Sequence, residues 1–139
     1  MSPSHGGELR FQTEGDGHVV DLTEGVAAVV KQSGIENGTV SVFVPGSTAA
    51  VTTMEYEPGG VQDLQRLLDR LIPREGDYEH NRLNHDSNSH AHMKAAIVGP
   101  SETFPVLGGE LRLGTWQQVV LIDFDDRPRS RTVVVSVTG

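Results

Sequence analysis

The runs Trp116-Gln117-Gln118-Val119-Val120-Leu121-Ile122-Asp123-Phe124 and Thr132-Val133-Val134-Val135-Ser136-Val137 decide the fold class. Both are dominated by apolar and β-branched residues, which suit a pleated surface, and turn signals bound both. They read as strands joined by a loop at residues 125–130. Further strands are expected at residues 91–98 and 110–113, set apart by Gly99-Pro100 and Gly108-Gly109. Residues 39–44 and 49–54 are β-rich and broken at Pro45-Gly46, while residues 8–14 and 18–22 read as a hairpin around Gly15-Asp16-Gly17. Two helices interrupt this pattern. One covers residues 23–33, with Asp21 or Thr23 as cap and Gly34 as terminator. The other covers residues 61–72, where Val61, Leu64, Leu67, Leu68 and Leu71 recur at amphipathic spacing before Pro73. The expectation is an α+β domain over residues 8–139, after a disordered tail at residues 1–7, with about seven mainly antiparallel strands in two sheets and two helices packed to one side.

Composition narrows the function classes. A chain of 139 residues buries a sizeable core without staples, and the lack of cysteine removes disulfides, thiolate metal sites and cysteine nucleophiles together. A net charge of -8 disfavours a nucleic-acid or acidic-membrane surface, although one small anion can still be held locally. No apolar run approaches the length of a bilayer span, and the first residues lack a basic segment followed by an apolar one, so a cytoplasmic protein is expected. No G-x-S-x-G elbow and no glycine-rich phosphate loop occurs.

Chemistry concentrates in residues 78–94, Y-E-H-N-R-L-N-H-D-S-N-S-H-A-H-M-K, which carry four of the six histidines with few apolar neighbours. Imidazole is the commonest ligand for zinc and its first-row neighbours and the side chain that exchanges protons near neutral pH. If the segment from His90 is a strand, His90 and His92 share a face, and so does Lys94. His80 and His85, in the loop before it, would supply third and fourth ligands. The plain alternative is a polar loop whose histidines are solvated separately. His18, between turn and apolar residues, reads as structural, and Trp116 as a core or subunit-interface anchor.

Five short motifs, in order, resemble the YjbQ-like family, whose members carry the name secondary thiamin-phosphate synthase. They are S-T-A-A-V-T at residues 47–52 followed by Glu55, Y-E-H at residues 78–80, H-M-K at residues 92–94 leading to Gly99, L-G-T-W-Q at residues 113–117, and a closing basic pair at Arg129 and Arg131. The resemblance implies a homotrimer of seven-stranded α+β subunits, with a site built from the Glu55 strand, the His-rich segment and the basic C-terminal stretch. One departure is Gly46, where many members have histidine. His85 and His90 are additional histidines relative to the same pattern.

The reaction implied by that name joins a pyrimidine methyl diphosphate to a thiazole phosphate and releases pyrophosphate. Departure of pyrophosphate needs charge neutralisation by a divalent metal or by Lys and Arg. The expected catalytic groups are Glu55, His80, His92 and Lys94. Ser47, Thr48, Arg82 and Arg131 are the expected phosphate-binding groups. His80, His85, His90 and His92 are the expected ligands of a divalent metal, zinc or another first-row ion, or magnesium with a phosphoryl substrate. Two other readings compete: a non-catalytic metal- or anion-binding protein, and a metal-dependent hydrolase with Glu55 or Asp86 as base. The expected partner is a small anionic or phosphorylated metabolite, with no nucleic acid and no membrane.

Overall fold

The strand β7 (Gln118–Asp123) is the centre of the molecule and explains why its sequence is almost continuously apolar. In the computed structural model, which describes residues 3–139, it lies between β2 (His18–Asp21) and β4 (Ala49–Met54) in an antiparallel three-stranded sheet. Alternate side chains leave its two faces. Val119 and Leu121 enter one core cluster, and Val120 and Ile122 enter another. Burying each such side chain stabilises the fold by about 1.5–3 kcal/mol.

The first cluster fills the gap to a five-stranded sheet in the order β1 (Ser4–Thr13), β8 (Arg129–Thr138), β3 (Asn37–Phe43), β5 (Ser101–Leu107), β6 (Glu110–Leu111). Its strands alternate buried and exposed residues, so its outer face is the polar one. Helix α1 (Thr23–Ser33) adds Val26, Val29 and Val30 to this core and ends at Gly34 in the left-handed conformation, φ 68°. The second cluster lies beneath α2 (Pro58–Leu71) and α4 (Ser89–Val98), which cover the far face of the small sheet through Leu68, Ala91 and Ala95. Short α3 (Glu79–Asn84) connects them. Among the described residues there are thus eight strands and four helices where about seven and two were expected.

Four expectations change. The hairpin of β1 with β2 does not form: β1 pairs with β8 and β2 with β7, in different sheets. The chain instead turns a corner between sheets at residues 14–17, and its antiparallel partner turns the same corner at residues 124–128. Gly15 permits this, because a Cβ there would lie 2.6 Å from the carbonyl oxygens of Asp125 and Arg127. Residues 91–98 are helix, not strand; Ala91, Met93, Lys94, Ala95 and Ala96 are good helix formers, and the Gly99 N–H closes the end on Ala95. The strand β5 went unread because Pro105 interrupts its pattern. The Pro105 carbonyl faces β6, accepting from Arg112 N–H, so the missing proline N–H points toward the same short edge. Finally, β1 begins at Ser4, within the stretch expected as a tail; residues 1 and 2 of that stretch lie outside the described residues.

Among the described residues, no helix is long and apolar enough to cross a membrane.

Candidate functional site

A buried ion pair sits where β7 and β8 pass through the corner. Arg131 donates from Nε and Nη2 to both carboxylate oxygens of Asp123, at 2.7 and 2.9 Å, and both side chains are almost fully buried. Thr13 donates to the same carboxylate at 2.5 Å, and the Asp125 N–H at 3.1 Å. Burial pushes the Asp123 carboxyl up, but the bonds from Arg131, Thr13 and the Asp125 amide outweigh it and hold the group below its ordinary value.

The network runs outward from there. Arg131 Nη2 also donates to the Thr48 hydroxyl at 2.7 Å, and that hydroxyl donates to Asp125 at 3.2 Å. Asp125 is buried too, which raises its carboxyl. The Asp126 N–H, the Thr48 hydroxyl, the nearby Arg129 charge and the Asn88 amide together bring it below the ordinary range. Asn88 then reaches His80, whose Nε2 lies 3.1 Å from its side-chain oxygen. An amide oxygen can only accept, so His80 donates to Asn88 from Nε2 and carries its proton there. Asp86 lies 3.7 Å from that nitrogen.

The His80 ring meets His92 at a centroid separation of 4.7 Å and a tilt of 56°. His92 in turn lines a cavity of about 210 Å³ with Gly46, Ser47, Ala49, Ala95, Ala96 and Pro100. Gly46 completes the corner: its φ is 137°, and a Cβ there would lie 2.9 Å from Arg131 Nη1. The backbone at Gly46 thus packs closely against a buried guanidinium.

The fold thus brings His80, His92, Ser47, Thr48 and Arg131 into one neighbourhood. It separates the others. Glu55 is exposed just beyond the far end of β4, about 20 Å of extended chain from Thr48. Arg82 is held by Asp77 and Glu79. His85 is exposed at the end of α3, in the left-handed conformation at φ 52°. His90 and Lys94 lie on another side of α4, because positions two apart on a helix are about 200° apart. The shared face expected for His90, His92 and Lys94 required a strand. Among the described residues, no three His, Asp or Glu side chains come together to hold a metal ion. The four-imidazole centre is therefore not assembled.

Trp116 is 74% exposed, which removes the core reading. His18 accepts the Glu14 N–H at 3.0 Å, a structural role. Sequence reasoning missed Asn88, Asp123, Asp125 and Thr13. Only the acidic close of an apolar strand, Asp123-Phe124-Asp125-Asp126, hinted at them.

Comparison with known proteins fits this arrangement of elements. The family model described as UPF0047 protein YjbQ-like matches residues 7–139. The chain belongs to the YjbQ-like UPF0047 family. Among its relatives, a UPF0047 protein of Methanothermobacter thermautotrophicus is 36% identical over 132 residues, covering 95% of this chain and 90% of that protein. The UPF0047 protein YugU of Bacillus subtilis is 34% identical over 133 residues, covering 94% and 97%. A crystal structure of a YbjQ-like protein of unknown function from Sulfolobus solfataricus superposes with a TM-score of 0.95 at 32% identity, over 100% of this chain and 99% of that one. This YjbQ-like chain therefore shares both sequence and fold with the family along its length.

Proposed function

We propose that this YjbQ-like protein is an acid–base catalyst that acts on a small anionic or phosphorylated metabolite at the His80–His92 cleft. The observation that carries this reading is the anchoring of His80 through Asn88 to the buried Asp125–Thr48–Arg131 network, with a second imidazole 4.7 Å away beside the Gly46–Ser47 corner. Such anchoring fixes which ring nitrogen carries the proton, and a fixed tautomer is what a general acid or base needs. Ser47, which lines this cavity, carries a hydroxyl suited to hold a phosphoryl oxygen. His92, less constrained, would protonate a departing phosphate or accept a proton from the attacking group.

For the pyrophosphate displacement expected from the family resemblance, the pyrimidine methylene–oxygen bond breaks as the thiazole nitrogen bonds to the methylene. Pyrophosphate leaves with the bonding electron pair. A cavity of about 210 Å³ is small for two such substrates. A homotrimer in which a second copy closes the cleft would supply the missing walls, and the exposed Met93 and Ile97 on α4 provide apolar surface for such a contact. Among the described residues, two imidazoles converge at this cleft, fewer than the expected four-imidazole metal centre needs.

The test is release of pyrophosphate from the pyrimidine diphosphate in the presence of thiazole phosphate, for wild type and His92→Asn. Turnover that falls by about 10²–10⁴ in the variant supports the reading. Wild-type protein that binds both substrates and releases nothing would instead make it a binding protein.

A further inference from the structure

On the other side of α4 lies a second cavity of about 340 Å³, lined by Asp16, Asp69, Arg74, His90, Lys94 and Phe124 among others. Two of these groups are unusual. His90 is 2% exposed, and its Nδ1 is buried with no hydrogen-bond partner among the described residues. Lys94, one turn further along the same face, is 5% exposed, and its ammonium makes a bond of 2.5 Å to Asp69. A buried lysine without further donors engaged and a buried imidazole with an unused nitrogen are both costly for a fold to keep unless something else is satisfied by them.

We propose that this cavity is a second ligand site, separate from the His80–His92 cleft, that takes the oxyanion group of a small molecule, a phosphate or a carboxylate, between Lys94, Arg74 and His90. The sign of the ligand follows from an asymmetry of burial. The Lys94 side chain is 6% exposed, whereas its partner Asp69 is 69% exposed. An incoming anion can replace Asp69 on Lys94 and release that carboxylate to water at little cost. An incoming cation would take Asp69 away and leave a buried ammonium without a counter-charge, which is strongly unfavourable. Arg74 repeats the arrangement at the rim, half exposed and paired with Asp16. Glu75, also in the lining, leaves the site with a slight excess of negative charge. That charge stands in solvent, where salt screens it, while the cation that matters is inside.

His90 fits the same occupant. Its burial, with the charges of Lys94 and Arg74, holds the imidazole below its ordinary pKa, against the opposing effect of Asp126 and Asp16. It is thus a neutral ring beside two cations, able to donate one N–H to an oxyanion without adding to their mutual repulsion.

The test uses the full chain and the Hε1–Cε1 resonance of His90, followed by NMR during separate titrations with inorganic phosphate and with acetate at constant ionic strength. A saturable shift of the His90 signal with either anion is expected, and which of them saturates at lower concentration identifies the source chemistry. Lys94→Gln should weaken that binding by about tenfold or more, as loss of a charged hydrogen bond does. Arg74→Gln, a rim change that cannot disturb packing, should weaken it to a lesser degree. The His90 response should persist in His92→Asn, because that variant alters only the other cleft. No saturable response of His90 to either anion overturns the proposal. So does a response that is lost in His92→Asn or is unchanged in both Lys94→Gln and Arg74→Gln.

Discussion

Gly46 stands so close over Arg131 that a Cβ on it would lie 2.9 Å from Nη1 of the guanidinium. That guanidinium cannot move aside, because its Nε and Nη2 are held by Asp123 and Thr48 inside the protein. The backbone at Gly46 is also in a region that favours glycine, φ 137°. Gly46→Ala should therefore destabilise the chain by about 1–3 kcal/mol. Chemical denaturation checks this. Stability equal to wild type would show that the Arg131 side chain yields where the account holds it fixed.

Removing the cation itself has a larger expected effect. Arg131→Met leaves the Asp123 carboxylate buried without its partner, which costs about 3–5 kcal/mol. Adding Asp123→Asn should recover part of the loss, since no charge then remains inside. A double variant as unstable as the sum of the single ones would mean that the two groups are not coupled.

The same network sets an acid limit. Asp123 and Asp125 both have carboxyl pKa values below the ordinary range in the folded chain. A depressed carboxylate contributes stability that is complete above its unfolded pKa, about 3.9, and is lost as pH falls further through the folded value. Unfolding free energy should thus drop steeply below about pH 4, and Arg131→Met should flatten that slope. Equal slopes in the two proteins would contradict this origin.

Asn88 is predicted to act through His80. Asn88→Ala should lower kcat for pyrophosphate release by about tenfold or more and alter its pH profile, because the imidazole loses the partner that fixes its tautomer. Asn88→Asp, which keeps an acceptor near Nε2, should retain more of the activity. A change confined to KM would mean that Asn88 serves binding alone.

How much of this was legible in the sequence depends on what each residue answers to. Helix α1 was readable to the residue, because its ends carry local signals: Asp21, whose carboxylate accepts the Thr23 N–H although the N-cap position itself is Leu22, and Gly34 after it. The strands β7 and β8 were readable because burial on one or both faces leaves a plain apolar pattern. Helix α4 was not. His-x-His suggested a two-residue period, whereas the i, i+4 pairs Ala91–Ala95 and His90–Lys94 held the true one. That single misreading merged two sites, since it put His90, His92 and Lys94 on one face. The hairpin error has a different cause: a glycine turn shows that the chain bends but not which strands it then joins. The links from Thr13 to Asp123 and from Thr48 to Asp125 were invisible for the same reason, as those partners lie far apart in sequence.

The most direct test of the central claim is a double-mutant cycle of pyrophosphate release with His80→Asn, His92→Asn and both. Two imidazoles serving one reaction centre should be strongly non-additive, each single variant losing nearly as much activity as the pair. Losses that simply multiply, or a variant that keeps wild-type turnover, would contradict a single catalytic cleft at His80 and His92.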